Sequence, residues 1–134
     1  MWYEYIDHVI FLKKLYRQVP ELVRVRIKKI SLEDEGREVA IVFDMPSFAD
    51  NIPEKWHKLG YNSLCIEVDF WCIYDFQMTS DYSLMTGDIS ITKEDDLIHV
   101  FIKGTVNCQF KAECAIIQKV AGYINMNCIE SDTN

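Results

Sequence analysis

Punctuation is sparse in this chain, with three prolines and five glycines in 134 residues. That scarcity excludes collagen-like and low-complexity classes. No apolar run approaches the roughly 18 residues that cross a bilayer as a helix. The five cysteines, at 65, 72, 108, 114 and 128, are odd in number, and no two have C-x-x-C spacing. A disulfide framework, a zinc centre and a redox pair are all disfavoured. Basic charge is short as well: 14 Lys and Arg face 21 Asp and Glu, for a formal charge of −7. The deficit begins after residue 37, since 1–37 hold eight basic against six acidic residues and 38–134 hold six against fifteen. Phosphate contacts need a basic surface, so nucleic acid is an unfavourable partner and a basic protein a favourable one.

Catalytic signatures are missing too. His8, His57 and His99 have no partner at a metal-ligand spacing, and there is no G-x-S-x-G elbow, phosphate loop or dinucleotide turn. Neither a cofactor nor a metal is expected. The opening MWYEYIDHVIFLKK has no basic leader and no small-residue cleavage site, so cytoplasmic residence is expected. With 49% apolar and 26% charged residues, 1–134 reads as one ordinary globular domain.

What the chain does have is alternation. In SLCIEVDFWCIYDFQM, from Ser63 to Met78, Leu64, Ile66, Val68, Phe70, Cys72, Tyr74 and Phe76 share one parity. Residues i and i+2 share a strand face, so this run predicts one long strand with an apolar side. The other parity holds Glu67, Asp69 and Asp75, with Trp71 and Ile73 among them. Two accounts of that apolar pair stay open. Either Trp71 and Ile73 lie beneath the 46–62 loop or the helix, or they form an apolar anchor with an acidic rim for a basic partner. In the second account Asp44, Asp50 and Glu54, at the start of the loop, assist Glu67, Asp69 and Asp75. A catalytic pair of carboxylates is weaker: same-face neighbours lie about 7 Å apart, within a glycosidase's range, but nothing else builds a sugar cleft.

The remaining elements follow from period and punctuation. HVIFLKKLYRQ has helical spacing, with Asp7 as candidate cap and Pro20 as terminator. LVRVRIKKI alternates, then slips register at Lys28-Lys29, as at a bulge. EDEGRE is a turn, EVAIVFDM a strand apolar on both faces, and PSFADNIPEKWHKLGYN a long loop with a helical turn at PEKWHK. LMTGDISIT, DLIHVFIKG and TVNCQFKAECAII are further strands, with KEDD turning between the first two. QKVAGYINMNCI extends the last strand past a kink, and ESDTN is a polar tail. Cys72, Cys108 and Cys114 fall on apolar parities and are expected to be buried thiols. The expected class is α+β: an N-terminal helix packed on a largely antiparallel sheet of about six strands.

Three stretches also resemble a known family. MWYEYIDHVIFLKKLYRQVPELVRVRIKKISL, VAIVFDMPSFADNIPEKWHKLGYNSLCIEVDF and IKGTVNCQFKAECAIIQKVAGYIN are similar to the immunity protein 50 family of bacterial polymorphic toxin systems. The likeness covers most of residues 1–125 and rests on overall pattern, chiefly the helix, the FDMP…W…GYN loop and the following strand. It implies a small cytoplasmic protein that binds and neutralises a cognate toxin domain by occluding its active site. It carries over no catalytic and no toxin-contact residues. The alternative from the residues alone is a small-ligand-binding or hydrolytic domain with the 46–62 loop as a lid.

Overall fold

The computed structural model describes residues 1–81 and 83–126. Eight strands make up most of it: β1 (Val25–Glu33), β2 (Glu38–Asp44), β3 (Ser63–Trp71), β4 (Tyr74–Ser80), β5 (Thr86–Glu94), β6 (Leu97–Gly104), β7 (Val106–Ala112) and β8 (Cys114–Tyr123). They form one sheet in the order β4-β7-β6-β5-β1-β2-β3-β8, and every ladder is antiparallel. The helices are small, α1 (Ile10–Leu15) and α2 (Glu54–Lys58).

This corrects the expected N-terminal helix on about six strands. Two runs that alternate as single strands are each broken at a corner. The first breaks between Trp71 and Tyr74, where Cys72 takes φ 59. The second breaks at Glu113, between β7 and β8. The breaks are tied together, because the Glu113 N–H donates to the Trp71 carbonyl at 3.0 Å and the Cys72 N–H to that of Arg37 at 2.9 Å. At this corner the sheet folds over itself. The β3 and β7 faces then meet, with the Phe70 and Phe110 rings edge-on at 5.1 Å. The turn also explains the cysteines: Cys108 is buried, but Cys72 and Cys114, which flank the corner, are exposed. All four described cysteines are free; Cys128 and the ESDTN tail lie outside the described residues.

The helix is shorter than its periodicity suggests. His8 takes φ 64, which no helical residue does, so α1 begins after Val9 without a side-chain cap. Asp7 is not a cap: its N–H donates to Ala115 O and its carbonyl accepts from the Ile117 N–H, so it extends the β8 edge. Tyr16 is already extended, and its hydroxyl donates to Ser47 O at 2.6 Å. Leu12, Leu15, Tyr16 and Val19 are nevertheless all buried. They join Trp2, Ile6 and Leu22 in the core between the folded halves of the sheet. The segment also reinforces the short β1–β5 ladder, where the Ile89 N–H donates to Leu22 O.

Elsewhere local chemistry and structure coincide. The β1 register shifts between Ile27 and Lys29, so Lys28 is the extra residue of a bulge. Asp95 and Asp96, at φ 53 and 64, make the two-residue turn between β5 and β6. In β3, Leu64, Ile66, Val68 and Phe70 are at most 1% exposed and line the core. The 46–62 loop packs where Ser63 pairs with Tyr123, with Trp56 between Phe11, Phe48 and Tyr61 at centroid distances of 6.0–6.3 Å. Trp71 lies at the other end of β3, about 25 Å away at the rise of a strand. The loop therefore leaves Trp71 uncovered.

Candidate partner-binding face

The side of β1, β2, β3 and β8 turned away from the core is set by register. Trp71 lies between Glu38 on β2 and Cys114 on β8, and Glu33 on β1 pairs in turn with Glu38. One step along, Asp69 lies between Ala40 and Ile116, and beyond it Glu67 lies between Val42 and Lys119. Small and aliphatic neighbours thus form the middle of this face, and carboxylates surround them. Trp71 is half-buried and rises from the end nearest the corner.

Asp69 is the unusual member. It is 6% exposed, and its Oδ1 has no hydrogen-bond partner. Burial, followed by hydrogen bonding to Glu67 and the negative charges of Glu67, Glu38 and Glu33, pushes its pKa up to about 7. Two carboxylates can bond each other only through a proton, and the raised pKa places that proton on Asp69. Among the described residues no Lys or Arg nitrogen comes within 4 Å of Glu33, Glu38, Glu67 or Asp69, and Lys119 approaches only as the cross-strand neighbour of Glu67.

The other site residues drawn from the sequence lie elsewhere. Ile73 has turned the corner and packs against the core, so it does not stand beside Trp71. Asp75 follows it at φ 53 and pairs with Lys111 at 3.4 Å. Asp44 lies at the far end of β2, with Lys28 Nζ 3.2 Å from Oδ1 and the Tyr123 hydroxyl 2.5 Å from Oδ2. Asp50 accepts the Arg17 N–H at 3.0 Å, and Glu54 pairs with Lys58 across one turn of α2. The structure therefore gathers Glu67, Asp69 and Trp71, and separates Asp44, Asp50, Glu54, Ile73 and Asp75 from them. It adds Glu33 and Glu38, which the sequence reading passed over. Their closeness to each other was legible, since they flank a tight turn. Their closeness to Trp71 depends on which strand pairs with β2.

A second surface lies on the outer side of β4, β7 and β6. Two shallow depressions flank the exposed Phe101 ring, the larger about 490 Å³ and lined by Gln77, Met78, Lys103, Asn107 and Gln109. His99, Lys111 and Asp75 line the smaller.

Comparison with known proteins gives the fold a wider setting. No curated protein matches the chain. A crystal structure of an uncharacterized protein from Neisseria gonorrhoeae superposes with a TM-score of 0.50 at 12% identity, over 72% of this chain and 92% of that one. At that identity the likeness is one of fold alone. The family model for immunity protein 50 matches residues 9–123, all eight strands together with α1 and the loop, and the chain therefore belongs to the immunity protein 50 family.

Proposed function

We propose that this protein binds a cognate toxin domain in the cytoplasm of the cell that makes it, and blocks the toxin's active site by covering it. Membership of an immunity family supports a role in binding rather than in chemistry. The observation that carries the reading is the outer face of β2 and β3. A partly buried tryptophan stands there among Glu33, Glu38, Glu67 and Asp69, and no basic side chain is paired to them among the described residues. A large aromatic ringed by polar groups is the usual composition of an energetic centre at an interface. A field of one sign speeds capture of an oppositely charged partner. The partner would present a basic cleft, as enzymes acting on phosphodiesters do, and the acids would occupy the places of substrate phosphates.

The test is co-expression with a candidate toxin domain taken from a neighbouring gene. Rescue of growth, together with a complex that survives gel filtration, is the expected result. A double charge reversal, Glu38→Lys with Glu67→Lys, should abolish both while the variant keeps its fold. Rescue by that folded variant as complete as by the parent would remove this face from the interface. Failure of the parent protein to rescue or to bind would remove the toxin-neutralising role itself.

A further inference from the structure

We propose that Glu67 and Asp69 form a proton-exchanging socket for a guanidinium group carried by the basic protein partner. This rests on the reading of the outer face as the partner-binding surface and specifies what that surface recognises. The geometry has two independent parts. Glu67 and Asp69 are i, i+2 neighbours on one face of β3, with Glu38 and Glu33 on the adjoining strands. Separately, Asp69 is 94% buried, from its 6% exposure, and still leaves Oδ1 without a hydrogen bond. A buried acceptor without a donor is unfavourable, so something that brings donors is favoured there.

In the free protein the Asp69 proton is a donor at one oxygen only. It keeps Asp69 uncharged between its apolar neighbours Ala40 and Ile116. A guanidinium offers two parallel N–H groups and a positive charge, and so matches two carboxylates better than one proton does. When it arrives the Asp69 proton leaves to solvent, and the cation neutralises the carboxylate charge that its departure leaves on Asp69. Binding is then coupled to proton release. The groups facing the pair are Glu33 on β1, Glu38 on β2 and Lys119 on β8, and only the lysine opposes the proton.

The probe is an acetylated, amidated hexa-arginine peptide, titrated into the full chain by calorimetry in phosphate and in Tris. These buffers differ in their heats of ionisation, so the difference reports protons released. Near neutrality about half a proton should leave per peptide bound, and affinity should rise about tenfold between roughly pH 6 and pH 8. In Asp69→Asn, which keeps the shape, the buffer difference and the tenfold rise should both vanish, and far-UV circular dichroism should match the parent. Equal heats in the two buffers, an unchanged pH dependence in Asp69→Asn, or no binding up to about 1 mM would each overturn the socket. Should that variant unfold, carboxyl carbon NMR of the parent decides. The Asp69 midpoint must fall when peptide is added, and an unmoved midpoint overturns the proposal. Proton release without toxin rescue would leave the socket standing and remove the immunity reading. Rescue without proton release would do the reverse.

Discussion

The Tyr123 hydroxyl donates to Asp44 Oδ2 at 2.5 Å, joining the end of β8 to the end of β2 across the intervening strand. Lys28, the bulge residue of β1, completes the arrangement: its Nζ lies 3.2 Å from Asp44 Oδ1 and 3.8 Å from the centre of the Tyr123 ring. Asp44 and Asp69 are both buried and each leaves Oδ1 without a hydrogen bond, but Asp44 Oδ1 faces the Lys28 cation, whereas among the described residues no Lys or Arg nitrogen lies within 4 Å of Asp69. That contrast separates an acid that holds the fold from one that is available to a partner.

Asp44→Ala should therefore lower stability by about 2–3 kcal/mol, because it leaves Lys28 without its partner in a partly enclosed site. Tyr123→Phe removes one hydrogen bond and should cost about 1 kcal/mol. Urea denaturation of the two variants would check both figures. Neither should weaken capture of a basic peptide as much as Asp69→Asn does, since the Asp44 charge is already neutralised.

Asp69 makes a prediction of the opposite sign for stability. Its folded pKa, about 7, lies above the unfolded value near 3.8, so the folded state holds the proton more tightly. Between those values the unfolded chain binds fewer protons, and stability falls as pH rises until it levels off above about pH 7. Asp69→Asn should flatten that slope. It should also raise stability at about pH 8, by roughly 1–2 kcal/mol once partial screening by water is allowed for. Chemical denaturation across the range, in parent and variant, measures it. A parent whose stability rises through this window would contradict the assignment.

Much of this fold was legible because it is written in local period. The inward row from Leu64 to Phe70 follows from alternation, and the bulge follows from two successive lysines where one was due. The corner was not legible. Cys72 and Asp75 adopt positive φ without being glycine, and nothing in their neighbours announces it. Alternation resumes beyond the break, so WCIYD looks continuous although Trp71 and Ile73 end on different sides. The shortened helix has the same origin. The residues from Tyr16 onward keep helical spacing of buried positions, but Tyr16 is extended, and hydrogen bonds from Tyr16 to Ser47 and from Arg17 to Asp50 tie the segment to the loop instead. The acidic face was half legible, since Glu67 and Asp69 share a strand while Glu38 arrives only through the β2–β3 register.

Gly104 marks a close approach that tolerates no side chain. A Cβ there would collide with the Thr86 carbonyl and lie 2.6 Å from the Gly87 Cα, both of them backbone. Backbone cannot step aside as a flexible side chain can. Gly104→Ala should therefore separate β6 from the start of β5 and cost about 2–4 kcal/mol. Gly36→Ala offers the comparison, since its φ is +88 but no atom lies within 4 Å. It should cost only about 1 kcal/mol, from strain alone. Thermal denaturation of the pair distinguishes crowding from backbone conformation.

The corner separates two residues that sequence alone would pair, and their substitution should separate stability from binding. Ile73 packs against the core. Ile73→Ala should cost about 1–3 kcal/mol of stability, as partial cavities do, and leave dissociation from a cognate toxin unchanged in the folded fraction. Trp71 stands on the outer face between Glu38 and Cys114, beyond the reach of the 46–62 loop. Trp71→Ala should leave the melting temperature nearly unmoved and weaken a toxin complex by about 2–4 kcal/mol, chiefly through faster dissociation. Charge reversal at Glu38, next to Trp71, should act differently. It removes long-range attraction, so association should slow and its dependence on salt should lessen, with little change in the dissociation rate. Surface plasmon resonance at two ionic strengths reads all three. If Trp71→Ala unfolds the protein while Ile73→Ala spares it, the assignment of the two residues to opposite sides of the sheet is reversed, and the acidic face loses its anchor.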